Sequence, residues 1–366
     1  MLGKPIPKSL LANYWRDVIT HFPNFRDDSH RDSFNLKFYN YLDLSSLTFG
    51  DLLQLNSTLD DSHTDIFYKE KNVHFEFALY GENIIILENN IFKCSKYDIV
   101  KEVNGLSIKD IVNSYAKYVS SSNKRTIRYD AVLAYLKYEE IKTISKSGKL
   151  RIDTFNFSNY KDLAYLNLKS FNLDFHVIKN YLNTLKGKSM LLIDMRFNSG
   201  GNTIDTHWLL ELFSSKPLHG TNWKSNQIIS TFEAWNKFSF FNDSFTLFNS
   251  FYGRNSSFYP QSDSRLDINI YILMNRYTSS AAEDFILYMR GLSNVTLVGE
   301  NSMGSSGQPI TIEATESISY RICAKHDFIT APDDFLRKGV TPDIKLNNAD
   351  SIDDNIVMKE LLDLVY

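Results

Sequence analysis

Along this 366-residue chain the spacing of apolar positions changes period several times, and each change marks an element boundary. Between residues 8 and 60, "SLLANYWRDVITHF" and "TFGDLLQLNSTL" carry apolar side chains at helical spacing, separated by Pro23 and a polar stretch. From Val73 the period falls to about two. "VHFEFALY", a turn at Gly81 and "NIIILEN" predict a hairpin. "YDIVKEVNGLSIKDIV" predicts a strand, an Asn104-Gly105 turn and a short amphipathic element, with a further helix through "YDAVLAYLKYEEI".

Beyond residue 160 the pattern becomes strand, helix, strand. "DLAYLNLKSF" and "SMLLIDMRF" read as buried strands flanking the helix "DFHVIKNYLNTLKG". The alternation recurs as "NTIDTHWLLELF", "INIYILMN", "AAEDFILYMRG" and "VTLVGE", which suits a parallel sheet covered by helices. A stretch over 216–266, rich in Phe, Trp, Asn and Ser, shows no clear period; such excursions are often functional. The predicted organisation is an N-terminal helical region over 1–72, a β-rich module over 73–150 and an α/β core over 151–366 with an aromatic-rich insertion at 216–266.

Composition narrows the classes. An apolar fraction of 43% supports a sizeable core. A formal net charge of −3, evenly spread, gives no basis for nucleic-acid or anionic-membrane binding. Two cysteines, Cys94 and Cys323, form no disulfide framework or zinc spacing and are expected as buried thiols in a reducing compartment. The N-terminal stretch lacks an apolar segment of signal-peptide length, and no segment is long enough to span a bilayer. The sequence as given reads as cytoplasmic, with export the alternative if a leader precedes it.

Three places can carry chemistry. In "YILMNRYTSSAAEDFILYMRG" a strand hands over to a helix at Ser280, where backbone N–H groups lack partners and the helix dipole is positive. That environment stabilises an oxyanion beside an attacked carbonyl. Ser280 with Glu283 three residues on also fits a capping box, which needs no catalysis. In "MLLIDMRFNSGGNTIDTHWLL" a buried strand ends in Asp194 and Arg196, and Gly200-Gly201 lead into a helix. The glycines permit positive φ and close backbone approach, whereas an ordinary turn braced by an Asp194–Arg196 ion pair explains them equally. In "STLDDSHTDIFY", His63 sits beside Ser62 at a helix end, either as a base near neutral pH or as a local cap. The remaining histidines show no metal-ligand spacing.

The order of "DDSHT", "DMRFNSGG", "YTSSAAEDF", "VGENSMGSSGQP" and "KGVTPDIKL" closely resembles the C-terminal processing (tail-specific) serine peptidase family, a group that also takes in tricorn-type proteases and retinoid-binding relatives. The resemblance implies an α/β, ClpP/crotonase-like core of stacked strand-helix-strand units. It adds an N-terminal helical region and a small β-rich, divergent PDZ-like module. It implies a serine endopeptidase of protein or peptide substrates, working through an acyl-enzyme with Ser280 as nucleophile. The oxyanion hole would come from the amides of Ala281 and of Gly200 or Gly201. Most members use a serine–lysine dyad, but Ser305 stands in the lysine's place here. The tricorn-like branch uses a Ser-His block, matched by Ser62-His63. His63 is therefore the expected base, supported by Ser62 and by an acid near the C-terminus: Asp334, ahead of Asp333. Lys325 is a remote second candidate for the base. No metal or organic cofactor is implied, and a homo-oligomer is left open. The alternative from another class is a non-catalytic ligand- or peptide-binding protein on the same scaffold; a hydrolase of small esters or amides is a third.

Overall fold

A computed structural model describes residues 1–69, 75–89, 94–152, 155–183, 185, 187–226, 228–236, 254–261, 266–305, 307–330 and 334–365. His74, Asp333 and the middle of the 216–266 stretch lie outside the described residues. The chain divides into two compact units. The first takes in residues 1–152, 308–325 and the described part of 225–251, and the second holds the described parts of 153–224, 252–307 and 326–366.

In the second unit the predicted alternation is realised in order: β1 (Leu163–Asn167), α1 (Phe175–Asn183), β2 (Met190–Asp194), α2 (Thr203–Leu210), β3 (Asn269–Met274), α3 (Ala281–Met289), β4 (Val295–Gly299), β5 (Ile344–Lys345) and α4 (Asp354–Val365). The five strands form one parallel sheet ordered β5-β4-β3-β2-β1, with Met190 opposite Asn269 and Asp194 opposite Leu273. Alternate residues of these apolar strands face opposite sides. Leu191, Ile193, Ile270, Ile272, Met274 and Leu297 join one cluster with α2 and α3. Leu192, Leu273 and Val298 join the other with Val357, Met358, Leu361 and Leu362 of α4. Each such side chain, fully buried, contributes about 1.5–3 kcal/mol. Helix α3 is buried on every side, which explains its nearly continuous apolar sequence after Asp284.

The stretch without a clear period carries regular structure where it is described. Leu218–Lys224 pairs antiparallel with Arg254–Phe258 and with His326–Phe328, and Ile229–Asn236 is a helix of the first unit. A partner about 100 residues away holds the central strand through Asn222↔Phe328, so local periodicity does not reveal it.

The first unit has helices at Lys8–His21 and Phe49–Asn56, as the N-terminal spacing predicts, and a further one, Asp28–Leu42, in the polar stretch between them. The predicted hairpin pairs Phe75–Tyr80 with Asn83–Asn89, and Asp98–Val103 extends it. Asn104 and Gly105, both at positive φ, turn the chain into Leu106–Ser107, and Ser107 caps the helix Ile108–Tyr115. A second antiparallel sheet joins Asp65–Tyr68, Ile318–Cys323 and Pro309–Glu313. Cys323 is buried as expected, but Cys94 is only partly so. Among the described residues no helix is long and apolar enough to cross a membrane, and no His, Cys, Asp and Glu side chains cluster as a metal site.

Candidate active site

The loops leaving the carboxyl ends of β2, β3 and β4 meet in the second unit, where parallel sheets commonly place their sites. Asn198 organises the first loop. Its side-chain amide donates to Leu168 O (2.8 Å), its Oδ1 accepts the Gly200 N–H (2.9 Å), and its carbonyl accepts the Ser279 N–H (3.0 Å). Gly200 has φ +98°, and a Cβ there would lie 2.7 Å from Ser280 Cβ and 2.9 Å from the Ala281 nitrogen. Only glycine allows the two loops to approach this closely. At Gly201, φ +143°, a Cβ would lie 2.4 Å from the Phe171 carbonyl oxygen. The glycine amides therefore differ in use. That of buried Gly200 is taken by Asn198, whereas neither the Gly201 nor the Ala281 N–H donates a hydrogen bond among the described residues.

Ser280 occupies the position before α3 with φ 58° and ψ −130°. A non-glycine residue in this region costs about 1–3 kcal/mol and persists only when its surroundings over-determine it. They do so here. The Ser280 N–H donates to Ser305 O (2.8 Å), and its carbonyl accepts from the Glu283 and Asp284 amides (2.8 and 3.1 Å). Upstream, Thr278 Oγ1 donates to Met195 O (2.9 Å) and accepts the Asn275 N–H (3.0 Å). Asn275 Oδ1 in turn accepts from Phe197 and Tyr277 N–H, both at 3.1 Å. A strained strand-to-helix turn that presents a serine beside open amides is an arrangement suited to nucleophilic attack.

This geometry overturns the capping-box reading. The Ser280 side chain makes no capping hydrogen bond, because an N-cap needs an extended backbone and this residue does not have one. Glu283, fully buried, turns instead toward the loop after β4. It accepts from Ser302 Oγ, from Gly304 N–H (2.7 Å) and from Ser305 N–H (2.9 Å). Ser302 Oγ itself accepts the Val340 N–H (2.7 Å), which commits its own proton to Glu283. Burial pushes the Glu283 carboxyl up to about 7, against the pull of these three donors. One carboxylate thus ties the 302–305 loop to α3, and Ser305 passes the restraint to Ser280.

Asp194 and Arg196 are a buried ion pair, Arg196 Nη2 to Asp194 Oδ2 at 2.7 Å, extended to Asp354 at 2.6 Å and to Ser351 O at 3.0 Å. Tyr165 also donates to Asp194 (3.0 Å). Burial raises the Asp194 pKa, but the Arg196 charge outweighs it and holds the carboxyl below its ordinary range. The pair braces the end of β2 against the start of α4, the structural half of the two readings open in the sequence.

In the first unit a 3-10 turn over Ser57–Leu59 ends at Asp60, whose φ of 51° redirects the chain. Half-buried His63 follows in a turn before the Asp65–Tyr68 strand. Asp61 accepts from the His63 N–H (2.9 Å), Thr64 Oγ1 (3.2 Å) and Asn24 Nδ2 (3.1 Å). Ser62 Oγ accepts the Ser122 N–H at 2.8 Å. Asp334, in the second unit, accepts from Ile329 N–H (2.7 Å), Thr330 N–H (2.6 Å) and Thr330 Oγ1 (2.9 Å). Of the residues singled out in the sequence, Gly200, Gly201, Ser280 and Ala281 come together in one unit, and Ser62 and His63 belong to the other. Asn198, Asn275 and Ser302 were not singled out. The signal for Asn275 was a polar residue directly after an apolar strand; Asn198 and Ser302 stand in loops two residues before a glycine.

Residues 162–346 match the sequence profile of peptidase family S41. Curated proteins give no match. Among solved structures, mature CPAF aligns with TM-score 0.69 and 11% identity over 98% of this chain and 96% of its own. The photosystem II D1 C-terminal processing protease aligns with TM-score 0.53 and 15% identity over 93% and 92%. The tricorn protease aligns with TM-score 0.50 and 13% identity over 98% of this chain and 37% of its own. These likenesses show a shared fold, and the profile, which spans half of the chain and takes in the Gly200–Ser280 site, shows descent: the chain belongs to peptidase family S41 and is a serine-type peptidase.

Proposed function

We propose that the protein is an endopeptidase of protein or peptide substrates, with Ser280 as nucleophile and His63 as its general base. A serine hydroxyl is a weak nucleophile until a neighbouring base removes its proton. Ser305, standing where most relatives of this kind carry a lysine, has no basic group to offer. The Ser62-His63 block, read from sequence, provides the alternative, and a His63 held by its own backbone N–H suits a base that must be presented in one orientation. In this mechanism the imidazole takes the Ser280 proton as Oγ attacks the scissile carbonyl. The Gly201 and Ala281 amides receive the oxyanion, the protonated imidazole returns its proton to the leaving amine, and water then releases the acyl group. Asp334, whose carboxylate also accepts from Ile329 and Thr330, is the acid that supports the protonated imidazole in this reading. The β-rich stretch serves as a reduced PDZ-like module that meets substrate outside the reacting centre.

The observation that carries the reading is Ser280 at φ 58°, side chain not used for capping, beside two amides that donate nowhere else among the described residues. Labelling by a fluorophosphonate probe tests it. Wild type is expected to label, Ser280→Ala not at all, and His63→Ala at a rate lower by roughly a hundredfold or more. Persistent labelling of the alanine variant at Ser280 removes that residue from the mechanism. Absence of labelling in the wild type favours a binding protein on the same scaffold.

A further inference from the structure

The turn that carries His63 is held by a loop about 60 residues further along, and the contacts are reciprocal. Ser62 N–H donates to Ser122 Oγ (2.8 Å) while Ser122 N–H donates to Ser62 Oγ (2.8 Å). One residue earlier, Asp61 N–H donates to Ser120 Oγ (3.0 Å) and Ser120 Oγ donates to Asp61 O (2.8 Å). With His63 N–H and Thr64 N–H bound by Asp61, four consecutive backbone donors of the turn are satisfied, two of them by serines of the 120–122 loop. A β-ladder would impose an extended backbone on both segments. Hydroxyl clamps instead fix single residues in a bent conformation and leave the turn its own shape.

The clamp is anchored behind. Ser121 Oγ lies 3.0 Å from Thr126 Oγ1, and Thr126 Oγ1 is 2.9 Å from Asp130 Oδ2 on the helix Ile127–Tyr138. Ser122, Asn123 and Thr126 are buried, so the loop is a fixed support. We propose that Ser120 and Ser122 are positioning residues for the peptidase reaction: they hold the backbone of Asp61 and Ser62 so that the His63 imidazole is presented in its working orientation. The inference rests on His63 being the base.

Fluorophosphonate inactivation, measured over a range of probe concentrations, separates this role from a merely structural one. The limiting rate reports base-assisted attack by Ser280, and the half-saturating concentration reports probe binding. The Ser120→Ala/Ser122→Ala double variant is expected to lose roughly 10- to 100-fold in limiting rate, the scale of an ångström-sized misplacement, with half-saturation almost unchanged. Ser122→Thr, which keeps the hydroxyl, is expected to restore most of the rate lost in Ser122→Ala. If the double variant fails to fold by circular dichroism, the two single variants decide. A wild-type limiting rate in the alanine variants, with His63→Ala inactive, overturns the positioning role and leaves the base assignment standing. A wild-type rate in His63→Ala overturns both. A loss that Ser122→Thr does not restore, or one that falls equally on half-saturation, also overturns the role.

Discussion

Replacing Glu283 by glutamine should remove a loss of stability that the wild type suffers as pH rises, and slow the enzyme at the same time. The carboxyl is fully buried, and its pKa rises from an ordinary 4.5 to about 7. Between those two values the native state keeps a proton that the unfolded chain has already released. Stability contributed by this group is therefore fully present below about pH 4.5 and is lost as pH rises through 7. At about 1.4 kcal/mol per pKa unit, the loss is about 3 kcal/mol. Glu283→Gln does not titrate, and part of the loss has already occurred by pH 5, so the variant should gain roughly 2–3 kcal/mol on the wild type between pH 5 and pH 8. Urea unfolding of both proteins at the two pH values, followed by tryptophan fluorescence, measures the gain. The catalytic side runs the other way. Glutamine offers one carbonyl oxygen where the ionised carboxylate offered two, so either Ser305 N–H or the Gly304 and Ser302 donors must face an NH2 group. Ser305 holds the Ser280 N–H, so fluorophosphonate labelling of Ser280 should slow at pH 8, where the wild-type carboxylate is ionised. A stability difference that does not change with pH would refute the titration. An unchanged labelling rate would refute the restraint that runs through Ser305.

Gly200→Ala should cut the labelling rate by roughly a hundredfold or more, because the new Cβ at φ +98° must displace Ser280 or Ala281 from the oxyanion geometry; circular dichroism should show the sheet intact. Arg196→Met leaves Asp194 charged and buried without its partner, and should lower unfolding free energy by about 3–5 kcal/mol in the same urea assay. Leu273→Ala opens a cavity in the cluster shared with α4 and should cost about 2–5 kcal/mol, with little change in the labelling rate of the folded protein.

The contrast between what was legible and what was not follows the range of the interactions. "MLLID", "INIYILM" and "VTLVG" declare themselves because a strand buried on both faces is apolar at nearly every position, and the helices between them must be long enough to cross back. The strand-to-helix turn at Ser280 was legible for a related reason: the small hydroxyl run interrupts two apolar runs. Glu283 was misread because spacing of three gives the same letters for a carboxylate that reaches back to cap its own helix and for one that reaches across to another loop. What decides between them is the backbone of Ser280, and φ 58° is imposed by Asn198 and Ser305, residues 82 and 25 positions away. The two glycines present the same difficulty. Nothing in "NSGG" says which amide is spent internally, and the answer lies in one side chain, Asn198, bending back onto Gly200. The strands inside 216–266 and the serine clamp on the His63 turn depend on partners about 100 and 60 residues off. Local pattern therefore reports burial well, and it reports a site only as far as the site's own residues are unusual where they stand. The bonds that bend Ser280 into place and hold the His63 turn are long-range and polar. In the proposed mechanism those are the features on which Ser280 as nucleophile depends.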